Sequence, residues 1–244
     1  MKKYTIILST SLVASSAVLY TVQILFFNNP RDTFFYLFQD LAFVPISVLL
    51  VTLIVDRLLS AREKSTMLKK LNMVIGAFFS EVGTALLRSF SDFDRNSDKI
   101  REALIVSGGW SEMDFSSVSE RIRSYDCVID SKRGNLEELR SFLTGKRDFL
   151  LRLLENPNLL EHESFTELLW AVFHLIEELA HRVNLKQLHD KDYEHLAGDI
   201  KRADVLLISE WLDYMKHLKE DYPYLFSLAM RTNPFDPSAS PEIR

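Results

Sequence analysis

The chain has 244 residues, 47% of them hydrophobic and 26% charged, with mean hydropathy near zero and a formal charge of −5. One cysteine excludes a disulfide framework, a Cys-based zinc finger and an iron–sulfur cluster. The negative balance argues against a nucleic-acid binder that works through bulk charge.

Residues 4–27 carry no charge. As a helix they would span about 36 Å, enough to cross a hydrocarbon core of roughly 30 Å with some tilt. The run is too long for an ordinary cleaved leader, and its small residues Ala14, Ser15, Ser16 and Ala17 lie mid-run rather than at its end. Asn28-Asn29-Pro30-Arg31-Asp32 has turn composition. Residues 34–55 form a second apolar run, with Asp40 and Pro45 inside it. Two spans joined by so short a segment predict an antiparallel transmembrane hairpin over residues 1–55.

Basic residues set the expected orientation. Lys2 and Lys3 precede the first run, and Arg57, Arg62, Lys64, Lys69 and Lys70 follow the second. The connecting turn has only Arg31, offset by Asp32. The positive-inside rule then places both termini in the cytoplasm, on the inner face of the plasma membrane. So short an outer turn excludes a receptor that reads an extracellular ligand. Asp40, about six residues inside the second run, is either a pore or proton-relay residue or a carboxylate that reaches the headgroups or pairs with a neighbouring helix.

Residues 56–92 read as a long juxtamembrane amphipathic helix. Leu68, Leu71, Ile75, Phe78 and Val82 recur at spacings of three and four, a heptad-like seam. Two uses fit it: a homo-oligomer seam, or a helix packed in the core of its own domain. Gly76, Ser80 and Gly83 make a second, small-residue face.

Residues 93–232 predict an antiparallel cytoplasmic helical bundle. Helices are expected near 97–106, 113–129, 135–154, 165–183 and 191–219, and from 223 to about 231. Asn135 and Glu138 have capping-box spacing, as do Ser164 and Glu167. Pro234, Pro237 and Pro241 read as an extended tail over 233–244. The fold class is therefore all-α throughout. Cys127, Trp170, Trp211, Tyr222 and Tyr224 read as core residues.

The segments FQDLAFVPISVLLVTLIVDRLL, LNMVIGAFFSEVG and YPYLFSLAMRTNPF resemble an uncharacterised family of prokaryotic two-span membrane proteins. The resemblance implies a membrane hairpin with a helical domain, and no activity comes with it.

Chemistry is concentrated in one stretch. All six histidines fall between residues 162 and 217. His174, Glu178 and His181 share one helix face. His195 and Asp199 have i, i+4 spacing on the next helix, with Asp192 one turn earlier; Asp213 and His217 repeat the spacing. Imidazole and carboxylate from facing helices are how bundles build metal sites, and His174, Glu178, His195 and Asp199 are the candidate ligands for a transition metal. A polar network fixing helix register would use the same residues, and Arg182 competes for Glu178 at i+4. Phosphate loops, GxSxG elbows and HExxH motifs do not occur.

Three functions follow as expectations. The first is a non-enzymatic membrane-anchored scaffold whose cytoplasmic all-α domain self-associates or binds a protein partner. The second is an oligomeric channel component with Asp40 in the pore. The third is a metal-binding helical bundle. The lipid bilayer is the expected partner in all three, and nucleic acid in none.

Overall fold

A computed structural model describes residues 2–27, 30–157, 159 and 162–242, and the side chains of these apart from 2–9, 27, 30 and 64–70. Among the described residues every regular element is helical, and a lone antiparallel bridge joins Asp94 to Ile129. Two compact units divide at residue 65/66, one covering Met1–Ser65 and the other Thr66–Arg244.

In the first unit, helix α1 runs Lys2–Phe27 and helix α2 begins at Pro30. Pro30 opens the helix because a first-turn proline lacks only an N–H that has no partner there. The expected turn shrinks accordingly, and Asn28 and Asn29 lie outside the described residues. α2 continues without a break through Pro45 to Phe78. Between Arg31 and Glu63 mean hydropathy reaches 2.1 with none of the apolar window buried. Leu49, Val51, Leu53 and Ile54 are all exposed to what surrounds the chain. A second helical stretch, Leu71–Phe93, is also apolar enough by composition but is substantially buried.

The second unit has one continuous core. It starts where α2 ends, passes a π turn at Phe79–Gly83 and enters α3, Thr84–Phe93. Leu71, Ile75, Phe78 and Val82 are each 3% exposed or less and belong to this core. Phe78 meets Phe165 edge-on at 5.2 Å between ring centres. The apolar stripe is therefore filled by the chain's own helices, which is the intramolecular use. Leu68, the first residue of the proposed seam, lies outside the side chains described. Gly83 shows why the π turn tolerates no side chain: a Cβ there would sit 2.5 Å from the Phe79 ring and 2.9 Å from that of Phe78.

After α3 the chain makes α4 (Ser97–Arg101) with a 3-10 turn at Glu102–Leu104, then α5 (Glu112–Arg123) and α6 (Leu136–Leu154). Asn135 caps α6 as its spacing predicts, its side chain accepting from Glu138 N at 3.2 Å. Helix α7 spans Glu163–Ala180, α8 Asp190–Asp221 and α9 Pro223–Arg231. The expected cap at Ser164 is replaced by His162, whose ring nitrogen accepts from Phe165 N at 3.3 Å. α8 packs against α7, α5, α9 and α3, and α6 packs against α7.

The C-terminal segment is not a free tail. Asn233 is buried and its Nδ2 donates to the Leu104 carbonyl at 2.8 Å. Phe235 meets Trp211 edge-on at 5.1 Å. Trp211 is core as expected, whereas Trp170 is 59% exposed and Tyr224 lies on the surface. Trp170 sits at an exposed position of α7, one turn before His174, and helical spacing among leucines alone cannot tell that position from a core one.

Candidate metal centre

α7 and α8 are joined by residues 181–189 and pack side by side, so the end of α7 faces the start of α8. His174 and Glu178 are one turn apart on α7, and His195 and Asp199 one turn apart on α8. All four converge. Nε2 of His174 lies 3.8 Å from Glu178 Oε1 and 3.5 Å from Asp199 Oδ2. Nε2 of His195 lies 3.4 Å from Glu178 Oε2 and 3.3 Å from Asp199 Oδ2. Ligand atoms of His174, Glu178 and His195 lie within 4.8 Å of one another.

These separations have a chemical reading. Bonds of about 2.0–2.2 Å to a tetrahedral Zn²⁺ place ligand atoms roughly 3.4 Å apart. The four nitrogen–oxygen separations, 3.3, 3.4, 3.5 and 3.8 Å, bracket that value, the two to Glu178 being made to its two different oxygens. Two imidazoles and two carboxylates are a donor set that Zn²⁺ and Fe²⁺ accept.

Asp199 is the decisive member. Its side chain is 3% exposed. Oδ1 accepts from Arg202 Nη1 at 3.3 Å. Oδ2 is buried, has no hydrogen-bond partner, and faces both imidazole Nε2 atoms. A buried carboxylate oxygen without a partner is costly, because it has given up water and gained nothing in exchange. The histidine side chains are about half exposed, 45% for His174 and 51% for His195, so one side of the cluster faces solvent.

Arginines engage both carboxylates, Arg202 at Asp199 Oδ1 and Arg182 at the Glu178 oxygen that also faces His195. Arg182 Nη1 donates to Glu178 Oε2 at 2.6 Å, and Arg182 Nη2 to Asp192 Oδ1 at 3.3 Å. That guanidinium holds the Glu178 carboxyl below its ordinary range, against the opposing effect of partial burial. A carboxylate kept ionised and oriented by an outer donor is what a metal ligand requires. The Arg182 pairing was legible as an i, i+4 spacing. Arg202 was missed, and its signal was the i, i+3 spacing from Asp199.

Other histidine spacings do not join the site. The Nδ1 atom of His181 lies 2.7 Å from the Glu177 carbonyl at the end of α7, which turns the ring away. Asp192 is engaged by Arg182. His217 pairs with Asp221 at 3.0 Å rather than with Asp213. Asp40 is exposed on α2.

A second polar cluster lies under α8, and sequence gave no hint of it. Asp204 is fully enclosed, and the Cys127 thiol donates to its Oδ2 at 3.6 Å. Asp94 accepts from the Tyr125 hydroxyl and from the backbone N–H groups of Asn96 at 2.9 Å and Val128 at 3.2 Å. Burial, then the Asp94 charge, pushes the Asp204 carboxyl up to about 7, with the Cys127 thiol opposing. Burial likewise raises the Cys127 thiol far above its ordinary value, so it is a core residue and no nucleophile.

Comparison with known proteins now places the chain. Residues 67–231 match the family model for the C-terminal helical domain of the uncharacterized protein MJ1433. Residues 1–59 match the model for the N-terminal helical domain of the same protein. The chain belongs to the MJ1433 family. A relative from Methanocaldococcus jannaschii, described as uncharacterized protein MJ1433, is 46% identical over 235 residues, covering 96% of this chain and 94% of its own length. No solved structure matches the chain. The division between the two family models, between residues 59 and 67, falls beside the division between the two compact units.

Proposed function

We propose that this member of the MJ1433 family is a membrane-anchored helical protein whose folded domain binds one divalent transition metal, Zn²⁺ above all, through His174, Glu178, His195 and Asp199. The single observation that carries the reading is Asp199 Oδ2, buried, unpartnered and facing two imidazole nitrogens. A cation there would satisfy that oxygen and tie α7 to α8. A register-fixing polar network is the competing account, and it would need an Nε2–H of His174 or His195 to turn onto that oxygen.

The anchor rests on the unburied apolar window of α2 and the uncharged run before it. The basic flanks support an inner-membrane location with both termini cytoplasmic. Self-association through the 68–82 stripe is not part of the proposal, because Leu71, Ile75, Phe78 and Val82 already fill the domain's own core. A pore has one exposed carboxylate, Asp40, to support it, against four converging side chains for the metal. The test is elemental analysis of the full chain purified without chelator, beside a His174→Ala/His195→Ala double variant. Metal in the first and none in the second supports the proposal; none in either removes it.

A further inference from the structure

The 66–244 unit encloses a second feature, unconnected with the histidines: a cavity of about 550 Å³ between the end of α2, the π turn, α8 and α9. That volume lies in the range of small-molecule sites, roughly 300–1,000 Å³. Its lining contains no Asp, Glu, Lys or Arg. His217 is in the wall, but its Nδ1 is already paired with Asp221 at 3.0 Å. Such walls reject a charged ligand, whose burial without a partner is costly.

The inner surface is aromatic and one wall is made of small residues. Phe79 stacks on Tyr214 with ring centres 5.0 Å apart. Gly76, Ala77 and Ser80 leave the space that larger residues would fill; a Cβ on Gly76 would stand 3.4 Å from the Tyr214 ring. This accounts for the small-residue face seen in the sequence at Gly76 and Ser80. The π turn at Phe79 supplies the same wall, and π turns recur at functional sites. Much of the rim is apolar: Met73, Tyr224, Leu225 and Leu228 line the cavity and are exposed to solvent, with the exposed Ser80 as a polar point among them. A site for a water-soluble metabolite has a wet rim; an apolar rim suits a ligand that arrives from an apolar phase.

We infer that this cavity holds one hydrocarbon chain of an uncharged membrane amphiphile, of the long-chain alcohol class, with the hydroxyls of Ser80 and Tyr214 as the polar groups available to its head. The source assigned is the bilayer, a clause that rests on the membrane reading of residues 31–63; the inference is independent of the metal.

The probe is hexadecanol carrying a photoactivatable diazirine on its chain, dissolved in a phosphatidylcholine nanodisc that holds the full chain. After irradiation, labelled peptides should include 72–84 and 211–228 as well as the 31–63 segment. Ala77→Phe and Ser80→Leu, both at exposed positions, should abolish cavity labelling while leaving the helical melt and the 31–63 labelling unchanged. Diazirine-bearing hexadecanoate and hexadecyltrimethylammonium should label the cavity peptides far less. Equal cavity labelling by the charged probes, labelling unchanged in both variants, or crosslinks from these peptides to a second copy of the chain would overturn the inference. Loss of labelling at 31–63 would instead count against the membrane reading, so the two failures are distinguishable.

Discussion

Asp199 Oδ2 lies 3.5 Å from His174 Nε2 across the α7–α8 interface, buried and without a hydrogen bond. The contact is too poorly aligned to satisfy the oxygen and close enough to share a cation. A buried carboxylate oxygen left without a hydrogen bond costs the fold stability.

Asp199→Asn should therefore have opposite effects with and without metal. Without metal, removing a buried and half-satisfied charge should leave stability unchanged or raise it by about 1 kcal/mol. With Zn²⁺ at 100 times the wild-type Kd, the wild type should gain about 2.7 kcal/mol, roughly 5–10 °C in melting temperature for a domain of this size. The variant should gain little of this. Thermal melts in chelator and in Zn²⁺ measure both effects. A variant destabilised in chelator would show that Asp199 works as a structural network residue.

The pH dependence has two parts of opposite sign. Metal binding competes with protons for the imidazole nitrogens, so affinity should fall as the pH is lowered. Asp204 acts the other way. Its folded carboxyl is raised to about 7, above its unfolded value of 3.8. Between those values the folded state holds the extra proton, so Asp204's contribution to stability decreases as pH rises towards 7 and is fully lost above it. Asp204→Asn should then stabilise the domain at pH 8, by up to ~4 kcal/mol from a shift of this size, and do much less at pH 5. Urea unfolding at the two pH values checks it. Equal effects at both would mean that Asp204 stays ionised in the fold.

Phe78→Ala should cost about 3–5 kcal/mol, as for other buried aromatic truncations, because Phe78 packs edge-on to Phe165 inside the domain. Denaturant unfolding gives the magnitude and light scattering the particle mass. A drop in mass without loss of stability would restore the oligomer seam.

Gly83→Ala should destabilise by roughly 1–3 kcal/mol, since the added methyl overlaps Phe79 and Phe78. Circular dichroism melts measure it. A neutral result would mean that the π turn relaxes to an ordinary helical turn.

Much of this was legible in the sequence because helical spacing is a local rule. His174 with Glu178, and His195 with Asp199, could be paired by i, i+4 alone, and a short connection between two helices brings the pairs to one height. The Asn135 cap and the Pro223 start follow from equally local chemistry. What sequence could not supply is tertiary. Nothing local says that Arg182 takes Asp192 as well as Glu178. The apolar stripe at 71–82 fits a partner helix and the chain's own core equally well, and only the packing of Phe78 on Phe165 distinguishes them. The proline-rich end looked extended because proline stops helices, yet Asn233 and Phe235 anchor it. The Asp94–Tyr125–Cys127–Asp204 cluster joins residues far apart in sequence and has no periodic signature.

The central claim is tested most directly by titrating the chelator-treated full chain with Co²⁺ and recording its visible spectrum. Tetrahedral coordination by two imidazoles and two carboxylates predicts an intense visible absorption that saturates at about one equivalent, is displaced by Zn²⁺, and is missing from the His174→Ala/His195→Ala variant. A weak spectrum that rises without saturation, the same in wild type and variant, would contradict the metal centre.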